Sequence, residues 1–191
     1  HTLPSGILHD GVTSVIGNGV VIDVRGLMEE LREIETHGFS VEGKLMISEQ
    51  SHLILPQHGA LDKAREISLG AKKIGTTGRG IGAAYAEKMA RRGLRACDFR
   101  NPDLFAAKYR DIADYCNDML TKYFGLEPIN AEECLEELLA AGKRLEPMIG
   151  DTVTYMNEAA RKNKHILAEG AQGVLLDIDF GTYPYVTSSS P

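Results

Sequence analysis

Apolar and polar positions alternate in two registers along this chain, and the register switches several times. Thr13 to Asp23 (TSVIGNGVVID) places β-branched residues on both sides of Asn18-Gly19, which predicts two short strands or a strand with a turn. Val24 to His37 then sets Leu27, Leu31 and Ile34 at i, i+4 and i+7 among Glu and Arg, a helical stripe that Gly38 is placed to cap. Lys44 to Ser48 (KLMIS) reads as a buried strand, and His58 to Lys73 returns to a basic helical pattern. Strands separated by helices predict an α/β layer structure, with a largely parallel sheet covered by helices.

The second half is mostly helical. A helix is expected from Gly82 to about Arg92, stopped at Gly93, and a longer one follows Pro102, a favoured first helical position. Over Asp103 to Phe124, Phe105, Ile112, Tyr115, Met119 and Tyr123 recur near helical spacing, a pattern that usually marks core. Asn130 is placed to cap a helix with Cys134, Leu135, Leu138 and Leu139 on its apolar face, and Asp151 to Asn163 completes the helical block. An apolar run, His165 to Ala168, then leads into a glycine turn, Glu169 to Gly173, as a strand end would. The expected organisation is a single partial α/β domain over 1–191 with a helical subdomain inserted at about 100–163. Because His1 opens within an extended-looking stretch and Ser188-Ser189-Ser190-Pro191 ends without an element, the sequence is expected to be a piece of a longer polypeptide.

Composition narrows the function. No run of about 18 apolar residues occurs and no signal-peptide pattern opens the chain, so a soluble cytoplasmic protein is expected, with no membrane partner. Cys97, Cys116 and Cys134 are odd in number and form no C-x-x-C pair, which indicates neither a disulfide framework nor a thiolate zinc site. The net charge of -6 argues against nucleic acid as a partner. That average hides a reversal: nine cations face only Glu66 and Glu87 between Lys63 and Arg95, whereas Asp98 to Asp151 holds six cations and twelve anions. A cationic segment in an acidic chain suits a compact anion, or is simply a solvated face.

Two constellations can carry chemistry. Gly75-Thr76-Thr77-Gly78-Arg79-Gly80-Ile81-Gly82 runs into a helix, where glycines admit an anion, threonine hydroxyls donate to it, and unpaired N–H groups point at it. It is neither G-x-x-x-x-G-K-[ST] nor G-x-G-x-x-G, and a plain glycine turn is the alternative. On the helix beyond it Lys88, Arg91 and Arg95 stand at i, i+3 and i+7, a stripe suited to clamping a phosphate or to solvation alone. The second constellation is Glu169 to Asp179 with Gly181 to Ser189, in which the Gln172 amide can both donate to and accept from a purine or pyrimidine edge. Asp177 and Asp179, lacking a third ligand, suit loop hydrogen bonding better than a metal, and no metal ligand is assigned.

The segments IGTTGRGIG and EGAQGVLLDIDFGTYPYVTSS, with Pro4-Ser5-Gly6-Ile7, Ile16-Gly17-Asn18-Gly19-Val20-Val21 and Ala90-Arg91-Arg92-Gly93, resemble the adenylosuccinate synthetase family in order and spacing across essentially the whole chain. The resemblance implies part of a P-loop-NTPase-like fold with a helical insertion. It also implies an enzyme of purine nucleotide biosynthesis that joins inosine monophosphate (IMP) to L-aspartate, using GTP and Mg²⁺, through 6-phosphoryl-IMP. By the same resemblance Thr77 and Thr187 hold the IMP phosphate, Gln172 meets the hypoxanthine O6 and acts in catalysis, and Arg91 serves the IMP site of the opposite subunit in a homodimer. The family's GTP loop, catalytic aspartate and catalytic histidine precede this segment, and its aspartate and guanine segments follow it. Most of an IMP site and the dimer face are therefore expected here, without activity by these residues alone. A noncatalytic purine-monophosphate-binding module is the rival reading. Residues 95–163 follow the family only loosely.

Overall fold

The computed structural model describes residues 2–190. Two strands flank the Gly17–Val20 turn, β1 (Ser14–Ile16) and β2 (Val21–Asp23), and they join different sheets instead of pairing with each other. β3 (Leu45–Ser48) lies between β1 and β5 (Ile149–Gly150), and β2 pairs with β4 (His52–Ile54), a strand the periodicity did not suggest. Every one of these pairings is parallel, in registers such as Ile16↔Ile47 and Ile22↔Leu53. Parallel pairs need crossovers, and the helices supply them.

The first helix, α1 (Val24–Thr36), starts where Asp23 accepts from the Gly26 N–H and stops before Gly38, whose φ of +84° a side chain would resist. Its Leu27 and Leu31 are fully buried, on the order of 2 kcal/mol each, so Leu31→Ala would open the stripe. α2 (Pro56–Leu69) begins at a proline and continues into a short 3-10 turn at Gly70–Lys72. α3 (Ile81–Met89) is shorter than the sequence suggests. α4 (Pro102–Asp118) runs on through a π turn at Met119–Tyr123, and α5 (Ala131–Leu145) is capped by Asn130 as expected.

On α4 the buried face is Phe105, Tyr109, Ile112, Cys116 and Leu120, whereas Tyr115 and Tyr123 of the expected aromatic stripe are exposed. Both sets lie within an equal arc of a 3.6-residue helix, so the period does not choose between them, and packing against α2 and α5 selects 109, 116 and 120. α4 packs on α2 and α5, and α5 packs on α1, so one hydrophobic core runs from Leu3 to Ile149. Residues 100–163 supply α4, α5 and α6 (Thr152–Arg161), and also β5 of the three-stranded sheet. The run His165 to Ala168 is not a strand. It pairs with none among the described residues, and Leu167 is 86% exposed.

Candidate functional site

The glycine loop lies between α2 and α3 and is held by both. Gly80 has φ +83°, and a Cβ there would stand 2.5 Å from the Gly59 backbone nitrogen, so no side chain fits. Gly78 (φ +66°) leaves room for the Lys63 stem, which a Cβ would meet at 3.1 Å. The loop's N–H groups are partly spoken for: Glu66 accepts from Ile74 at 3.2 Å and Gly75 at 2.9 Å, and Asp62 accepts from Gly80 at 3.2 Å. Thr77 is exposed, and its hydroxyl has no intramolecular partner among the described residues. Beneath the loop sits His58, almost wholly buried, whose Nδ1 accepts from the Leu55 N–H. Burial, with Arg65 behind it, pushes its imidazole down to about 4, so it is neutral near pH 7.

The C-terminal segment comes to the same end of α3. A Cβ on Gly82 would stand 3.0 Å from Ser188 Oγ, next to Thr187. The Thr187 N–H donates to the Leu176 carbonyl (2.9 Å) and Ile178 donates to Ser189 (3.1 Å), tying 174–178 to 187–189 in one knot. Gln172 is four residues before Leu176, at most about 14 Å of chain away, and is exposed. Asp177 spends a carboxylate oxygen on the Asp179 and Phe180 N–H groups. Loop hydrogen bonding is thus its observed work. No three carboxylate, histidine or cysteine side chains converge as a metal site among the described residues.

Arg91 lies at the other end of α3, about 14 Å along the axis from Gly80. The helix does not extend to Arg92 as expected, because Arg91 turns left-handed (φ +62°) while the Arg92 N–H reaches the Glu87 carbonyl and the Arg91 N–H that of Lys88. Gly93 follows, where a Cβ would stand 2.7 Å from the His52 ring. Lys88, Arg91 and Arg95 therefore form no helical stripe. They line one hollow of about 410 Å³ with His52, Gln50 and Asn18. None of the three cations is in an ion pair among the described residues. Burial, then Lys88 and Arg95, lowers the His52 imidazole below its ordinary value, although the Gln50 backbone opposes this. Arg92, by contrast, is committed to the nearly buried Glu87 (2.9 and 3.0 Å) and lies 4.0 Å over the Tyr115 ring.

Sequence reasoning missed His52, and also His58, Asp62 and Glu66, which hold the loop. The i, i+4, i+8 spacing of the last three was the available signal.

Parallel sheets with helical crossovers, and a glycine loop at the N-terminal end of α3, place this chain in the α/β class. The sequence profile of the family described as Adenylosuccinate synthetase matches residues 1–191, and the chain belongs to that family. It is 53% identical over 190 residues to the adenylosuccinate synthetase of Saccharophagus degradans and 50% identical over 188 residues to that of Haemophilus influenzae, covering 100% and 98% of this chain. It spans 44% of the length of each of these relatives. Among solved structures, a fully ligated adenylosuccinate synthetase of Plasmodium falciparum superposes with a TM-score of 0.88 at 37% identity, over 98% of this chain and 43% of that one. No helix among the described residues is long and apolar enough to cross a membrane.

Proposed function

We propose that this chain forms the IMP-binding part of a GTP-dependent ligase that joins IMP to L-aspartate, giving adenylosuccinate. Thr77, on the glycine loop, and Thr187, on the knot beside it, donate their hydroxyls to the IMP phosphate. Gln172 donates its amide to the hypoxanthine O6. Loss of the N1 proton gathers negative charge on O6, a fixed amide donor stabilises it as an oxyanion donor does, and O6 then attacks the γ-phosphorus of GTP with GDP as the leaving group. The resulting 6-phosphoryl group leaves as inorganic phosphate when the aspartate amine attacks C6. GTP, aspartate and Mg²⁺ meet other parts of the full-length protein, so these 191 residues alone do not turn over.

Arg91 serves a second subunit of a homodimer. The observation that carries the reading is the layout of α3: its N-terminal end meets both the Thr77 loop and the Thr187 segment, while Arg91 stands at its far end. A guanidinium unpaired in its own chain is available to a phosphate in a partner. In the full-length protein, Thr77→Val and Thr187→Val should each raise KM for IMP about tenfold, the scale of one hydrogen bond to a charged group, with KM for GTP unmoved. Unchanged IMP kinetics in both variants would refute the phosphate assignment.

A further inference from the structure

Helix α2 presents His58, Asp62 and Glu66 at i, i+4 and i+8, one face aimed along the whole glycine loop. Each holds a different part of it. Glu66 takes the Ile74 and Gly75 N–H groups at the entrance, Asp62 takes the Gly80 N–H at the exit, and His58 fills the space under Gly80. Between the two carboxylate anchors run Thr76 to Arg79, where the Gly78 N–H turns inward to Thr76 Oγ1 (3.4 Å) and the exposed Thr77 stands near the middle.

We propose that Asp62 and Glu66 are positioning residues for the phosphate loop. They act through the backbone on Thr77, and they rest on the reading of Thr77 as a phosphate ligand. A glycine-rich loop samples many backbone states, and an anion binding to an unanchored loop must supply the ordering itself. Two fixed carboxylates accomplish that ordering before the ligand arrives. Each stands at an end of the loop and accepts from its N–H groups, so the Thr77 hydroxyl between them is left for the ligand. The anchors are nonetheless anionic, and a carboxylate near a phosphate opposes it, so what the site needs from them is the acceptor oxygen and not the charge.

That distinction supplies the test, made in the full-length protein by steady-state kinetics with IMP, GTP and aspartate. Asp62→Ala and Glu66→Ala should each raise KM for IMP by about tenfold, the scale of lost charge-assisted hydrogen bonds, while KM for GTP and the thermal midpoint hold. Glu66→Asp, which keeps the charge but is too short to reach both N–H groups, should also raise KM for IMP. Asp62→Asn and Glu66→Gln, which keep an acceptor oxygen, should restore IMP binding to the wild-type value or better. An unchanged KM for IMP in the alanine variants overturns the proposal. So does an equal rise for IMP and GTP with a fallen thermal midpoint. Thr77→Val separates the two claims: if it weakens IMP and the alanine variants do not, only the positioning role fails, and if it too is silent, the phosphate reading of the loop fails.

Discussion

Arg91 and Arg92 are neighbours that the sequence cannot tell apart by charge, yet the structure gives them opposite work. Arg92 is locked onto the nearly buried Glu87 and stacked over Tyr115, which raises the guanidinium pKa and closes the turn. Arg91 occupies the left-handed position that glycine usually takes in such a helix ending, and its side chain is paired with nothing among the described residues. A non-glycine residue kept in a left-handed conformation costs about 1 kcal/mol, and such a cost is characteristic of functional positions. Arg91→Gly should therefore stabilise the fold by about 1 kcal/mol in denaturant titrations while weakening IMP use. Arg92→Ala should destabilise it by about 2 kcal/mol, since Glu87 is left buried without its partner. A destabilised Arg91→Gly would contradict the strain assignment. The proposed roles of Thr77, Gln172 and Thr187 rest on two long motifs of the sequence, whereas the difference between the adjacent arginines does not show there, because it depends on where α3 ends.

Element boundaries were readable wherever a cap and a period agreed. α1, α5 and β3 lie close to where the pattern places them, each bounded by Asp23, Asn130 or a tight alternation of core residues. β4 escaped notice because three residues carry no period, and it exists through pairing with β2. The run at 165–168 misled for the converse reason: three consecutive apolar residues suggest a strand, but a strand requires a neighbour, and Leu167 and Ile166 remain exposed. α2 is the element where stability and site meet. His58, held neutral under the loop with a pKa of about 4, titrates near 6.5 once unfolded. Between those values the unfolded chain binds the extra proton, so this contribution is complete above about pH 6.5 and lost as pH falls through about 4, roughly 3 kcal/mol in all. Urea titrations at pH 7.5 and at pH 4 should show that loss in the wild type. His58→Asn, which retains an acceptor for the Leu55 N–H, should remove about that much of the difference; an identical pH dependence in both would contradict the buried neutral ring.

At the scale of the whole molecule, packing against α2, β4 and β2 fixes α3 between two tasks. Its start faces the loop and the C-terminal knot, and its end opens on the cationic hollow of Lys88, Arg91 and Arg95. The α/β class and the parallel pairing were legible from alternation alone, whereas the distance between these two faces required the fold. Under the proposal that Arg91 completes an IMP site, that separation requires the site to belong to a second copy of the chain. Mixed dimers of the full-length protein measure it directly: Arg91→Ala and Gln172→Ala subunits, each nearly inactive alone, are combined in equal amounts and allowed to exchange. With Arg91 acting across a two-fold interface, half the dimers are hybrids, each with one intact site, and about a quarter of wild-type activity returns. If activity stays at the level of the separate variants after exchange is verified, Arg91 does not serve its partner and the shared site is refuted.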